Sequence, residues 1–234
     1  MKKIDYLKIM AIIIFSLLSY VYYQNDIEND ISKSDISYEF EEIPEYNGKS
    51  YVIINNNKPT FTEKEKTTNE FELYGELDNL GRATSTYALI GIDSMPTKER
   101  DNIGMIKPSG WHTVKYESIS GKYLYNRCHL IGYQLTGENA NINNLITCTR
   151  QMNIGAMLDF ENKVADYIKE TKNHVLYRAI PIYKESNLLA HGVHIEALSI
   201  EDNGEGINFN VFIFNVQNGI KINYKTGESM LIGG

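Results

Sequence analysis

Cysteine is scarce in this chain. Two residues among 234 are too few for a disulfide-stapled scaffold or for a zinc site built from cysteines. Internal repeats are missing, which excludes a repeat array. Long apolar runs are lacking everywhere except at the N-terminus. Basic residues are outnumbered, and a net charge of −7 argues at first against a nucleic-acid partner. What is plentiful is apolar. Hydrophobic residues make up 42% and charged residues 23%, enough for a real core and too apolar for disorder along the whole length. At roughly 150 residues per domain, the length leaves room for one domain with an appendage.

The charge is unevenly placed. Residues 1–24 carry Lys2, Lys3 and Lys8 against Asp5, a net of +2, and residues 25–50 carry eight acids against Lys33 and Lys49, a net of −6. That leaves −3 for 51–234, and within it 126–190 is +1. Most of the acidity therefore belongs to one polar stretch. A polyanion is free to approach a basic face of the body, although nothing in the charge demands it.

The three lysines precede an apolar run from Ile9 to Tyr23. A basic flank followed by about 15 apolar residues is the pattern of an export signal. The run is short of the roughly 20 residues that span a bilayer comfortably. Bulky Tyr20, Tyr22 and Tyr23 stand where a small-residue cleavage site belongs. Residues 1–24 are thus either a cleaved signal peptide or an uncleaved signal-anchor that touches the membrane. Residues 25–50, acidic and without period, read as a flexible, poorly ordered tether.

The body, 51–234, reads as strands with one strong helix. Ser50–Asn55, Ser85–Ile92, Tyr123–Ile131, Leu145–Thr149, Val175–Tyr183, Leu188–Ala197 and Ile207–Val216 are strand-like. Trp111–Tyr116 alternates moderately, and 71–81 is rich in turn residues. Ile207, Phe209, Val211 and Ile213 share one face, with Asn208 and Asn210 on the other. From Asn153 to Lys169, apolar residues recur at Met157, Phe160, Val164 and Ile168, which is helical spacing. The expected fold class is α+β on a mixed, mainly antiparallel sheet.

Chemistry gathers around His129. In a strand, Arg127 and His129 point one way, and Asn126 and Cys128 the other. A guanidinium holds phosphate oxygens, and a neutral imidazole takes a proton from water. Downstream, Asn153 opens the expected helix, and Glu161 follows two turns later, rotated by roughly 80°. A hard cation such as Mg²⁺ takes oxygen ligands and keeps waters, so one carboxamide oxygen with phosphate and water would suffice. Glu161 could then accept hydrogen bonds from the cation's waters. A helix N-cap explains Asn153 equally well.

Other chemistries fit less well. Cys128 is adjacent to His129, so their side chains diverge in a strand and cannot form a dyad. His194-Ile-Glu196 lacks the Pro-Cys-x-x-Cys partner of a zinc deaminase. His191 and His194 face opposite sides of a strand and read as exposed polar positions. Two strands of one hairpin could bring Cys128 near Cys148, but the register is not legible in the sequence. The rival from another class is a non-cleaving module that binds DNA.

The stretch Tyr125-Asn-Arg-Cys-His-Leu-Ile-Gly-Tyr-Gln-Leu135, followed by Asn143-Asn-Leu-Ile-Thr, Met152-Asn153 and Phe160-Glu161, closely resembles the DNA/RNA non-specific endonuclease family, the ββα-metal or His-Me finger nucleases. The nearest branch is the streptodornase-type DNases and DNA-uptake nucleases of Gram-positive bacteria. The resemblance runs from about Tyr51 to Gly227 and takes in Leu80-Gly-Arg82, Met95-Pro-Thr-Lys-Glu-Arg100 and Lys107-Pro-Ser-Gly-Trp111. It implies a ββα-metal motif with His129 as general base and Asn153 as the one direct protein ligand of the metal. Arg127 is implied to contact the phosphate, and Asn144 and Glu161 to support the metal's waters. Arg82 and Arg150 are further candidate phosphate contacts, or solvated arginines. Asn126 stands where the family's common Asp-Arg-Gly-His signature has Asp, and Cys128 where it has Gly. The resemblance implies an exported endonuclease that cuts DNA, with RNA as a further substrate, and shows little base preference. Mg²⁺ is the implied cofactor, Mn²⁺ a candidate substitute, and no protein partner is expected. The implied place is outside a Gram-positive-type cell, secreted or anchored on its outer face.

Overall fold

The computed structural model of the chain describes residues 6–33 and 45–233. It divides into two compact units, Met1–Ser37 and Tyr38–Gly234. In the first, helix α1 runs from Tyr6 to Lys33, with the side chains of 9–22 exposed. No proline or glycine interrupts that stretch, so nothing stops the helix at residue 24. Residues 25–33, expected as tether, are therefore helical, and 34–44 lie outside the described residues. Among the described residues, no helix is long and apolar enough to cross a membrane.

The second unit is α+β. Its strands are β1 (Tyr51–Ile53), β2 (Phe71–Tyr74), β3 (Thr86–Ile90), β4 (Tyr125–His129), β5 (Leu145–Thr149), β6 (Val175–Ile182), β7 (Gly192–Ser199), β8 (Asn208–Phe214), β9 (Ile220–Ile222) and β10 (Ser229–Leu231). Its helices are α2 (Tyr133–Thr136), α3 (Arg150–Ile154) and α4 (Ala156–Thr171). Six strands form one antiparallel sheet in the order β1-β8-β7-β6-β3-β2. β4 and β5 form a separate antiparallel pair, as do β9 and β10. β2 lies in the stretch read as turns, and Trp111–Tyr116 contributes only a bridge from Lys115 to Tyr123.

Alternation places the core. Tyr177, Ala179, Ile195, Ala197, Phe209, Val211 and Ile213 face one side of the sheet. Against them pack Met157, Phe160, Val164 and Ile168 of α4, together with Cys128, Ile146 and Cys148 from the β4–β5 pair and Leu130 just beyond β4. Each such apolar side chain contributes about 1.5–3 kcal/mol when buried. The pair and α4 are thus held rigidly against one scaffold, which fixes the loops between them.

The opposite face is polar and nevertheless buried. Arg178 Nε donates to Glu196 Oε1 at 2.8 Å, and its Nη1 reaches Glu65 at 3.2 Å. Thr60 N–H donates to Glu196 Oε2 at 2.7 Å. His194, expected to be exposed, is buried here with Nε2 2.6 Å from Asn210 Oδ1. The cause is the 58–66 segment, whose Lys58, Thr60 and Glu65 groups cover this face of β6, β7 and β8. Removing one partner of a buried pair leaves an uncompensated charge. Glu196→Ala is expected to cost about 3–5 kcal/mol, read as a lower urea midpoint at unchanged slope.

Candidate active site

The β4–β5 pair runs directly into α3, so a hairpin and a helix carry the expected groups. Register sets Arg127 opposite Thr147, Cys128 opposite Ile146 and His129 opposite Leu145. Cys128 and Cys148 point into the core and form a disulfide, their Cα atoms 5.8 Å apart. The cysteine that stands in the family's glycine position is thereby paired across the hairpin.

His129 ends β4 and is only 6% exposed. Its Nε2 lies 2.9 Å from the carbonyl oxygen of Asn139. A carbonyl only accepts, so Nε2 carries the proton and Nδ1 is the basic nitrogen, its lone pair turned toward Arg100. Nδ1 lies 3.4 Å from Nη2 of Arg100. Burial pushes the imidazole down to about 4; the Asn139 carbonyl opposes that shift, and the Arg100 charge adds to it. The ring is therefore neutral at pH 7.

On the far side of Arg100 opens a cleft of about 570 Å³, which His129 itself does not line. Arg100, Arg127, Arg150 and Asn153 line it, and no acidic side chain does. In a chain of net charge −7 this is a concentrated basic surface. Arg100 both lines the cleft and reaches His129, so it links the imidazole to the space in front of Asn153.

Asn153 does not cap a helix. Thr149 caps α3, accepting from Met152 N–H at 3.1 Å. The expected single helix breaks at Gly155, with φ −102° and ψ −119°, and α4 starts beyond it. A Cβ at Gly155 would stand 2.6 Å from the Gln151 carbonyl oxygen, which explains the glycine. The break uncouples Asn153 from the face of α4 that carries Glu161. Among the described residues, the Asn153 carboxamide makes no side-chain hydrogen bond, so its oxygen is available to a ligand in the cleft.

Glu161 sits on α4 against Gly132, where a Cβ would collide with its carboxylate. Desolvation pushes this carboxyl up to about 8, while Gln134 and the Arg100 charge pull it down. Asn144 takes a different place from the one expected. It is fully buried, and its carboxamide accepts from Ile131 N–H at 2.9 Å and donates to Ile131 C=O at 3.0 Å. It clamps the chain just after His129 and does not line the cleft.

The remaining arginines divide. Arg127 lines the cleft, but its Nη2 donates to Gly104 C=O at 2.6 Å, its Nε donates to Ile106 C=O, and its guanidinium stacks 3.9 Å over Trp111. Arg82 lies elsewhere, bonded to Asp78 Oδ2 at 2.6 Å and to the carbonyls of Glu185 and Asn187. Arg150 is the uncommitted one, with a buried Nε that has no hydrogen-bond partner among the described residues. Sequence reading missed Arg100, Trp111 and Asn139 as parts of the site. Their contacts cross loops, and only the Arg100 and Trp111 motifs signalled them.

A hard cation fits this donor set. Among the described residues no cluster of three His, Cys, Asp or Glu could enclose a metal. One spare carboxamide in an open cleft suits an ion that keeps its waters and takes phosphate oxygens.

Comparison with known proteins places this geometry. A family model described as DNA/RNA non-specific endonuclease matches residues 62–200. A deoxyribonuclease of Streptococcus dysgalactiae subsp. equisimilis is 29% identical over 211 residues, covering 71% of this chain and 62% of that protein. The chain therefore spans less than two thirds of that relative's length. NucA from Streptococcus agalactiae with magnesium ion bound matches with a TM-score of 0.69 at 24% identity, over 77% of this chain and 87% of that one. The Sda1 nuclease with bound zinc ion matches with a TM-score of 0.64 at 26% identity, over 79% of this chain and 97% of that one. The mainly antiparallel α+β fold with its ββα segment is that of these nucleases, and the chain belongs to the DNA/RNA non-specific endonuclease family.

Proposed function

We propose that the protein is an exported, Mg²⁺-dependent endonuclease that hydrolyses phosphodiester bonds of DNA, and of RNA, with little sequence preference. The observation that carries this reading is a neutral, tautomer-fixed imidazole beside an acid-free cleft lined by three arginines and a spare carboxamide. The streptococcal deoxyribonuclease supports DNA as substrate. The magnesium in NucA and the zinc in Sda1 support a divalent cation as cofactor. The basic flank and apolar run at the N-terminus support export.

In this mechanism His129 Nδ1 takes the proton from water as the oxygen attacks phosphorus in line. Asn139 holds the imidazole by its Nε2 proton throughout. A divalent cation held by the Asn153 carboxamide supplies charge neutralisation on the phosphate and leaving oxygen. Arg100 and Arg150 hold phosphate oxygens. Glu161 acts from α4 behind Gly132, through its attraction to Arg100, and Asn144 keeps the β4 exit in place. Backbone contacts by arginines carry no base preference, and binding weakens with salt.

The deciding experiment incubates the purified chain with plasmid and Mg²⁺, with and without EDTA, and repeats the assay on RNA. Nicked and linear plasmid in Mg²⁺ alone is expected. Intact plasmid in both tubes would replace the enzyme with a DNA-binding module.

The depressed imidazole also sets a pH profile. The active base is neutral His129, protonated only as pH falls through about 4. Cleavage should therefore hold its rate from pH 8 down to about 5, where an ordinary imidazole of pKa about 6.5 is largely protonated. Half-loss of kcat/KM near pH 6.5 would contradict the buried setting.

A further inference from the structure

Tyr123 lines the same cleft as Arg150 and Asn153, and no step above uses it. Its side chain is 46% exposed. Its backbone is fixed by the bridge to Lys115 and by a bond from its N–H to Gly121 C=O at 2.9 Å. The next residue, Leu124, is fully buried and accepts from Arg150 N–H at 2.7 Å. Tyr123 thus precedes the residue that pairs with Arg150, so ring and arginine stand on neighbouring, tied stretches of backbone. Lys115 Nζ stands over the ring, 4.5 Å from its centroid.

A single exposed tyrosine needs no explanation. This one is joined by two further facts. Among the described residues the Arg150 Nε is buried without a partner, a cost that a ligand's acceptor oxygen removes. The cleft holds no acid to satisfy it internally. An anion bearing a flat, apolar ring answers both features, and a nucleotide is such a ligand. Bases within a duplex are stacked on one another and cannot offer a face to a side chain. Bases of a single strand can, and stacking on aromatics is tolerant of sequence.

We propose that Tyr123, Lys115 and Arg150 form a subsite for the nucleotide next to the scissile phosphate. An unstacked base lies on the Tyr123 ring, and Arg150 takes its phosphate. The preferred substrate at this subsite is single-stranded DNA. The inference rests on the nuclease reading, and the test separates the two.

Binding of the full-length chain is measured in EDTA by fluorescence anisotropy, with a labelled oligothymidylate and with a duplex of equal length. Tyr123→Ala is expected to weaken the single strand about 5- to 100-fold and the duplex by less than about twofold, with Tyr123→Phe close to the parent. Unchanged single-strand affinity, or an equal loss on both probes, overturns the subsite. If the parent chain digests plasmid in Mg²⁺ while Tyr123→Ala binds normally, this inference falls alone. If the parent neither binds either probe nor cuts plasmid, the nuclease reading falls and takes the subsite with it.

Discussion

His129→Ala is expected to lower the rate of DNA cleavage by about 10²- to 10⁴-fold, the range of general-base assistance, while DNA affinity in EDTA stays near the parent value. The expectation follows from the tautomer. Asn139 C=O occupies the Nε2 proton, so Nδ1 is the sole basic nitrogen, and burial keeps it unprotonated at neutral pH. In the proposed mechanism, phosphate contacts come from the arginines that line the cleft, and these survive the substitution. Added imidazole should restore part of the rate, because the truncated side chain leaves a space of that shape. A rate within a few-fold of the parent would remove His129 from the chemistry.

Asn153→Ala should abolish Mg²⁺-dependent cleavage at ordinary metal concentrations without loosening the fold. The side chain caps no helix and makes no side-chain hydrogen bond among the described residues. Surface positions of that kind change stability by no more than about 0.5 kcal/mol. A melting temperature equal to the parent's, together with lost activity, is the signature of a ligand position. Matching activity and metal dependence would show that the carboxamide binds no cation. A large fall in melting temperature would show a structural role for it.

Sequence reading reached the hairpin closely. Leu145–Thr149 is a strand to the residue, and β4 lies within Tyr123–Ile131, because β-branched and apolar residues there are bounded by turn residues. The core side of β8 follows from strict alternation at Phe209, Val211 and Ile213. The helix beyond Asn153 was legible from Met157, Phe160, Val164 and Ile168, but its start was not. Thr149 and Asn153 are both good N-cap types, and only the backbone at Gly155 decides between them. Strand β2 was hidden by the turn residues that follow Tyr74. His194 read as an exposed polar position, since nothing local announces that the 58–66 segment lies across that face of β7. Arg127 was placed on the correct face of its strand, yet its carbonyl partners at Gly104 and Ile106 are about twenty residues distant in the chain. Alternation fixes direction and says nothing of distant acceptors.

The Cys128–Cys148 bridge closes a segment of 20 residues that ends β4 and leads into α3. With its thiols reduced, that segment lacks roughly 3 kcal/mol of constraint on the unfolded chain. The loss falls on the stretch that carries His129 and leads to Asn153. Protein recovered from a reducing cytosol and protein matured in an oxidising compartment are therefore different samples, and the rates expected above belong to the oxidised one.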